Sequence, residues 1–226
     1  KHVPVHGNAS GDSHLALATS PADRIQLYER DLLPYMSLAK HMKKPWGAML
    51  AHVSFPNVDD TGSPATFSKP IVTGIFRRDI SASALVMTDD IEMAGAGAEK
   101  DVGQRAVRAI EAGADMVMIA WSRRIQIEVL TALKEAVESG RLKRSRIEDA
   151  LKRIARAKSV YVPEKIVLAS KDELSRSLKN PEFTMLGNAV LRAAARNLEE
   201  RRPSSVVNAD NQNDPPGDSR GDSASL

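Results

Sequence analysis

The chain has 226 residues, a formal net charge of +3, 42% hydrophobic and 27% charged residues, and no cysteine. That composition admits one or two domains with a buried core, excludes disulfides and thiol chemistry, and leaves no apolar run long enough to cross a bilayer. The positive excess is spread over helices that also carry Asp and Glu, which marks solvated faces and argues against a nucleic-acid surface. No signal peptide is visible, which favours the cytoplasm. The chain opens at Lys1 without a methionine, so an export signal further upstream stays open.

Residues 1–19 read as a loop, with Pro4, Gly7 and Gly11 among small polar residues. This loop holds three of the chain's five histidines, His2, His6 and His14. Ser20-Pro21 predicts a helix start, with serine as cap and proline in the first turn, and Pro34 should bend or interrupt that helix. Gly47 to Val53 is a short apolar strand, and residues 55–64 are turn-rich. Ser68-Lys69-Pro70 opens a second helix that ends near Asp79. Ala84 to Thr88 is the next strand, and it stops abruptly at Asp89 and Asp90. A helix over 101–112 is closed by Gly113, and Asp115 to Ala120 forms a third strand. Ile125 to Val137 is helical, with Gly140 just past its end. Ser145-Arg146-Ile147-Glu148 reads as a capping box for a further helix, whose apolar face holds Ile147, Leu151 and Ile154. Residues 171–200 look helical and polar. From Pro203 onward Asn, Asp, Ser, Gly and Pro dominate, and disorder is expected; Arg220-Gly221-Asp222 in that tail reads as a chance tripeptide.

Short buried strands alternating with amphipathic helices from about 47 to 158 predict βα units and a parallel sheet. His52, Asp89 and Asp90 then fall at carboxyl ends of strands, the edge where such sheets bind ligands. A histidine-rich glycine loop and a strand-end acid are the parts of a catalytic site, one group to move a proton and one to attack or stabilise charge. The bland readings are a surface histidine at position 14 and a strand terminator at 89–90. His2, His6, His14 and Asp12 could also be metal ligands, but their spacing matches no zinc pattern, and neither a metal nor a cofactor is expected. Met87, Met116 and Met118 read as core. Trp46 and Trp121 are candidate sugar platforms, Trp121 at its strand end the better one.

Several of these motifs, in this order, resemble a known family. Lys1-His2-Val3-Pro4-Val5-His6-Gly7, Asp12-Ser13-His14, Ala51-His52-Val53 and Leu85-Val86-Met87-Thr88-Asp89-Asp90-Ile91-Glu92-Met93 are similar to motifs of the glycoside hydrolase family 3 catalytic domain, in its bacterial β-N-acetylhexosaminidase branch. Ile75-Phe76-Arg77-Arg78-Asp79 and Gly113-Ala114-Asp115 extend the resemblance, which covers roughly residues 1–158. It implies an α/β fold, the carboxyl-terminal part of a (β/α)8 barrel beginning at the end of the fifth strand. A helical extension over 159–202 and a disordered tail over 203–226 would follow. A whole barrel takes about 250 residues.

The resemblance further implies a retaining exo-β-N-acetylglucosaminidase acting on peptidoglycan fragments or similar β-linked sugars. Asp89 would be the nucleophile and His14 the acid/base, with Asp12 orienting its ring. Lys1 and His2 would bond sugar hydroxyls, and Asp90 and Met93 would line or support the pocket. Histidine can replace the usual carboxylic acid because its unperturbed pKa lies near neutrality. The expected partner is a carbohydrate, not a nucleic acid, and the oligomeric state stays open. Val5 and Ala84 stand where the family carries glycine. The competing readings are an inactive or sugar-binding fragment lacking the amino-terminal half, and a β-glucosidase or phosphorylase of the same family.

Overall fold

The computed structural model describes residues 1–97, 99–164 and 169–200. The chain divides into two compact units, Lys1–Glu164 and Lys165–Leu226. In the second unit, helices over Lys171–Leu178 and Pro181–Glu200 occupy the stretch expected to be helical, the first opened by a Ser170–Glu173 capping box. The expected disorder beyond Pro203 and the Arg220-Gly221-Asp222 tripeptide lie outside the described residues.

The first unit is built on parallel strands. β1 (Ala18–Thr19) pairs with β3 (Val53–Ser54), and β2 (Gly47–Met49), β4 (Leu85–Asp90) and β5 (Met116–Met118) form a second sheet in the order β2-β4-β5. Val3 adds a parallel bridge to Leu50, donating to Met49 O at 2.7 Å and accepting from Ala51 N at 2.7 Å. Parallel neighbours cannot be joined by tight turns, so helices make the crossings. They are α1 (Arg24–Gln26), α2 (Leu33–His41), a π-helical segment over Pro70–Ile80, α3 (Val102–Ala112), α4 (Arg123–Glu138) and α5 (Arg144–Tyr161).

Two buried clusters hold this arrangement. One packs Val3, Leu50, Val86 and Ile91 of the sheet against Val72, Phe76, Ala106 and Ala109 of the helices. The other gathers Leu27, Leu32, Val53, Phe55, Ile71 and Ile75. Each fully buried aliphatic or aromatic side chain contributes about 1.5–3 kcal/mol. Trp46 stacks edge-on to Phe76 at 5.9 Å and belongs to this core, so it offers no sugar platform.

Four local expectations are corrected. Ser20 is drawn into the sheet, its N–H on Ser54 O at 2.9 Å, and Asp23 caps α1 instead, through a capping box with Gln26. The interruption expected at Pro34 does occur: a π-helical segment over Leu27–Asp31 ends at Leu32, and α2 begins at Leu33 with the proline in its first turn, where a missing N–H costs nothing. Ser145 is not a cap: α5 starts at Arg144 after an extended Lys143, and Glu148 pairs with Arg144 at 3.2 Å. Early helical geometry brings Arg146 onto Asp115 at 2.8 Å and Asp149 at 2.6 Å. On the same helix Leu151 is 56% exposed, and Ala150 fills the buried position beside Ile147 and Ile154. Met116 faces outward, and Met87 and Met118 are only half-buried, so none of the three is deep core.

Candidate active site

Alternation along β4 buries Val86, Thr88 and Asp90 and leaves Leu85, Met87 and Asp89 half-buried on the other face. Asp89 is therefore accessible, with a side chain 20% exposed. One of its oxygens accepts from the Asp90 N–H at 2.9 Å, and the other lies 3.2 Å from His2 Nε2. Burial holds the His2 imidazole below its usual range against the pull of Asp89, and His6 and Lys1 add to the lowering. At neutral pH the His2 ring beside Asp89 is thus neutral. Tyr35 donates to His2 O at 2.7 Å and fixes the backbone that presents the ring, and His6 stacks edge-on to it at 4.9 Å.

Asp90 points the other way. Its carboxylate accepts from Glu92 N at 3.1 Å and Ala120 N at 3.4 Å, so it braces the strand end and is not aimed where Asp89 is. Its carbonyl accepts from His52 Nε2 at 3.0 Å, and His52 Nδ1 sits 2.8 Å from the Thr66 hydroxyl. Burial lowers the His52 pKa, with the Asp90 carbonyl acting in the opposite sense. The Thr66 hydroxyl in turn donates to Ala51 O at 3.0 Å, so His52, Thr66 and the ends of two strands form one buried hydrogen-bonded chain. Glu92 accepts from the N–H groups of Trp121 and Ser122 at 3.1 and 3.2 Å, tying the same loop to the end of β5. The Trp121 ring is 85% exposed.

Asp12 and His14 form a pair of their own. Asp12 Oδ1 lies 2.9 Å from His14 Nδ1 and also accepts the His14 N–H at 2.9 Å. That backbone bond first, then the ring contact, holds the Asp12 carboxyl below its ordinary value. The His14 side chain is 75% exposed, with its other nitrogen unencumbered among the described residues. Its loop is fastened to the loop after β4, where Gly95 N donates to Ser13 O at 2.9 Å. A Cβ on Gly95 would lie 2.2 Å from that carbonyl oxygen, so only glycine permits the approach. Met93, half-buried, opens the short turn Ala94–Ala96 that carries Gly95.

Arg105 on α3 locks this second loop. Its guanidinium donates to the carbonyls of Ile91, Met93, Gly97 and Glu99 at 2.6–3.3 Å. Sequence reasoning missed Arg105, Tyr35, Gly95 and Glu92. Their partners are mostly backbone atoms distant in sequence, and the one available signal was an arginine on an otherwise apolar helix face.

A cavity of about 610 Å³ opens beside the histidine loop, lined by Lys1, His2, His6, Asp31 and Tyr35 among others. Asp89 and His14 do not line it. Among the described residues no cluster of three or more His, Asp or Glu side chains is placed to hold a metal ion, and no helix is long and apolar enough to cross a membrane.

A parallel α/β layer with histidines and a carboxylate gathered at its carboxyl edge is an architecture shared by many enzymes, and here the motifs decide. Residues 1–157 match the model of the glycosyl hydrolase family 3 N terminal domain, and the chain belongs to that family. The protein called Beta-hexosaminidase from Idiomarina loihiensis is 36% identical over 138 residues, which covers 61% of this chain and 40% of its own length. Its namesake from Methylococcus capsulatus is 34% identical over 139 residues, again 40% of its length. The chain thus spans less than half of these relatives. A glycoside hydrolase family 3 β-N-acetylglucosaminidase from Paenibacillus sp. str. FPU-7 superposes with a TM-score of 0.69 at 35% identity, covering 76% of this chain and 33% of that one.

Proposed function

We propose that the protein is a retaining exo-β-N-acetylglucosaminidase, and that the arc formed by Val3, β2, β4 and β5 is part of a (β/α)8 barrel whose carboxyl-terminal edge binds the sugar. The observation that carries this reading is the Asp12–His14 pair on a loop fastened, through Gly95 and Ser13, to the loop that follows Asp89. The Asp89 carboxylate attacks the anomeric carbon while protonated His14 gives its proton to the departing glycosidic oxygen. The glycosyl–Asp89 ester then forms and the aglycone leaves. Neutral His14 next takes a proton from water, whose oxygen displaces Asp89 and restores both groups. Asp12 stabilises positive charge on the ring in both half-reactions. Lys1 and His2 bond sugar hydroxyls; Asp90 and Met93 shape the strand end and loop. Peptidoglycan fragments are the proposed substrates, because they present terminal β-linked N-acetylglucosamine.

A second reading, an inactive or sugar-binding chain, is favoured by one observation: the 610 Å³ cavity takes Lys1 and His2 into its lining but neither Asp89 nor His14. Assay of the full-length protein on a chromogenic N-acetylglucosaminide separates the two. The enzymatic reading expects turnover that Asp89→Asn abolishes. Full turnover in that variant would refute the nucleophile assignment, and sugar binding with no turnover in the parent would favour the second reading.

A further inference from the structure

A second cavity, about 850 Å³, lies beside the amino-terminal ends of β4 and β5, away from the candidate active site. Six cations line it: Lys69, Arg77, Arg141, Lys143, Arg146 and Arg153. Only three carboxylates oppose them, Glu111 and Asp149 in the lining and Asp115 beneath it. The excess of three positive charges equals the formal net charge of the whole chain, +3.

The distribution of that charge matters as much as its sum. Arg77 is spent inside, on Asp115 and on the carbonyls of Ala84 and Gly113. Arg153 is spent on Asp115 and Asp149, and Arg141 is bidentate with Glu111 at 2.9 and 3.1 Å. Asp115 and Asp149 are shared with Arg146, whose buried Nε has no acceptor among the described residues. The cluster therefore has more donors than acceptors. The uncompensated charge stands at the rim, on Lys69 and Lys143, both exposed and without a recorded partner among the described residues. Ser145 lines the same rim in the first turn of α5, which no side chain caps.

We propose that this cavity binds a phosphorylated small molecule. A phosphate dianion matches a surplus of about two to three cations, and its oxygens would accept from the two lysines and the Ser145 hydroxyl. The volume leaves room for an organic group behind the phosphate, within the usual range of about 300–1,000 Å³ for small-molecule sites. A concave site with so few free cations suits a small ligand better than a nucleic-acid strand, which would need a longer basic track.

The test is calorimetric titration of the 226-residue chain with inorganic phosphate and with pyrophosphate at fixed ionic strength. Saturable binding is expected, tighter for pyrophosphate. Lys69→Glu/Lys143→Glu should weaken it by about tenfold or more, and the milder Lys69→Gln/Lys143→Gln should weaken it less while leaving the melting temperature unchanged. Lys100→Glu/Arg123→Glu makes the same charge change at exposed positions near the opposite strand ends and should leave binding intact. No saturable binding, equal weakening in both charge-reversed variants, or binding of a short oligonucleotide but not of either phosphate would overturn the proposal.

Discussion

Two carboxylates at opposite ends of the same sheet have opposite fates. Asp115, just before β5, has a side chain with 0% exposure and receives Arg77, Arg146, Arg153 and the Val86 N–H. Burial alone would push its carboxyl up, but Arg153, Val86 and Arg77 outweigh that and hold it below the ordinary value. Asp89, at the far end of β4, has one N–H, one imidazole at 3.2 Å and an open side. A fully partnered buried carboxylate braces the fold and has no lone pair left for chemistry. A partly exposed one with spare lone pairs fits the attacking role proposed for Asp89.

The largest effect expected from this contrast is on turnover. Asp89→Asn should lower kcat of the full-length protein by at least about 10³-fold while leaving the melting temperature of the 226-residue chain unchanged. Asp115→Asn should do the reverse, costing about 3–5 kcal/mol in denaturant unfolding because three arginines lose their shared anion. If both variants melted alike, the contrast would not hold.

His14→Ala should slow hydrolysis of substrates with poor leaving groups by about 10²–10⁴-fold and activated aryl substrates far less. Equal loss on both would contradict proton donation. Gly95→Ala should cost about 1–3 kcal/mol, since a methyl group must displace the Ser13 backbone, and should lower kcat in the same direction as His14→Ala. The smallest effect concerns pH. His52 and His2 both titrate below the usual 6.5 when folded, so below that value the unfolded chain takes up protons that the native chain refuses. Stability should fall as pH drops from about 6.5 through the folded pKa values. His52→Gln, which cannot take up that proton, should flatten that fall, as read from urea midpoints against pH.

The alternation of strands and helices was legible because its signals are local. Asp101 caps α3, and Gly113, at φ 122°, closes it where a Cβ would meet the Thr73 hydroxyl at 2.8 Å. The Asp12–His14 contact, which the family resemblance implied, likewise joins residues only two apart. The Asp115 cage was not legible, because its three arginines lie 31 to 38 residues away along the chain. The same holds for Tyr35 beneath His2, 33 residues apart. Helix starts misled where tertiary demands overrode the local code: Ser20 was claimed by the sheet and Ser145 was overtaken by the salt bridges of Arg146.

The proposed pairing of His14 with Asp89 across one sugar can be tested by mass spectrometry of the full-length His14→Ala protein, incubated with a dinitrophenyl β-N-acetylglucosaminide. The activated leaving group departs without a proton, and the glycosyl-enzyme then lacks the base that would hydrolyse it. The sugar should accumulate as an ester on the peptide that carries Asp89. Accumulation on another carboxylate, or rapid turnover with no adduct, would contradict the assignment.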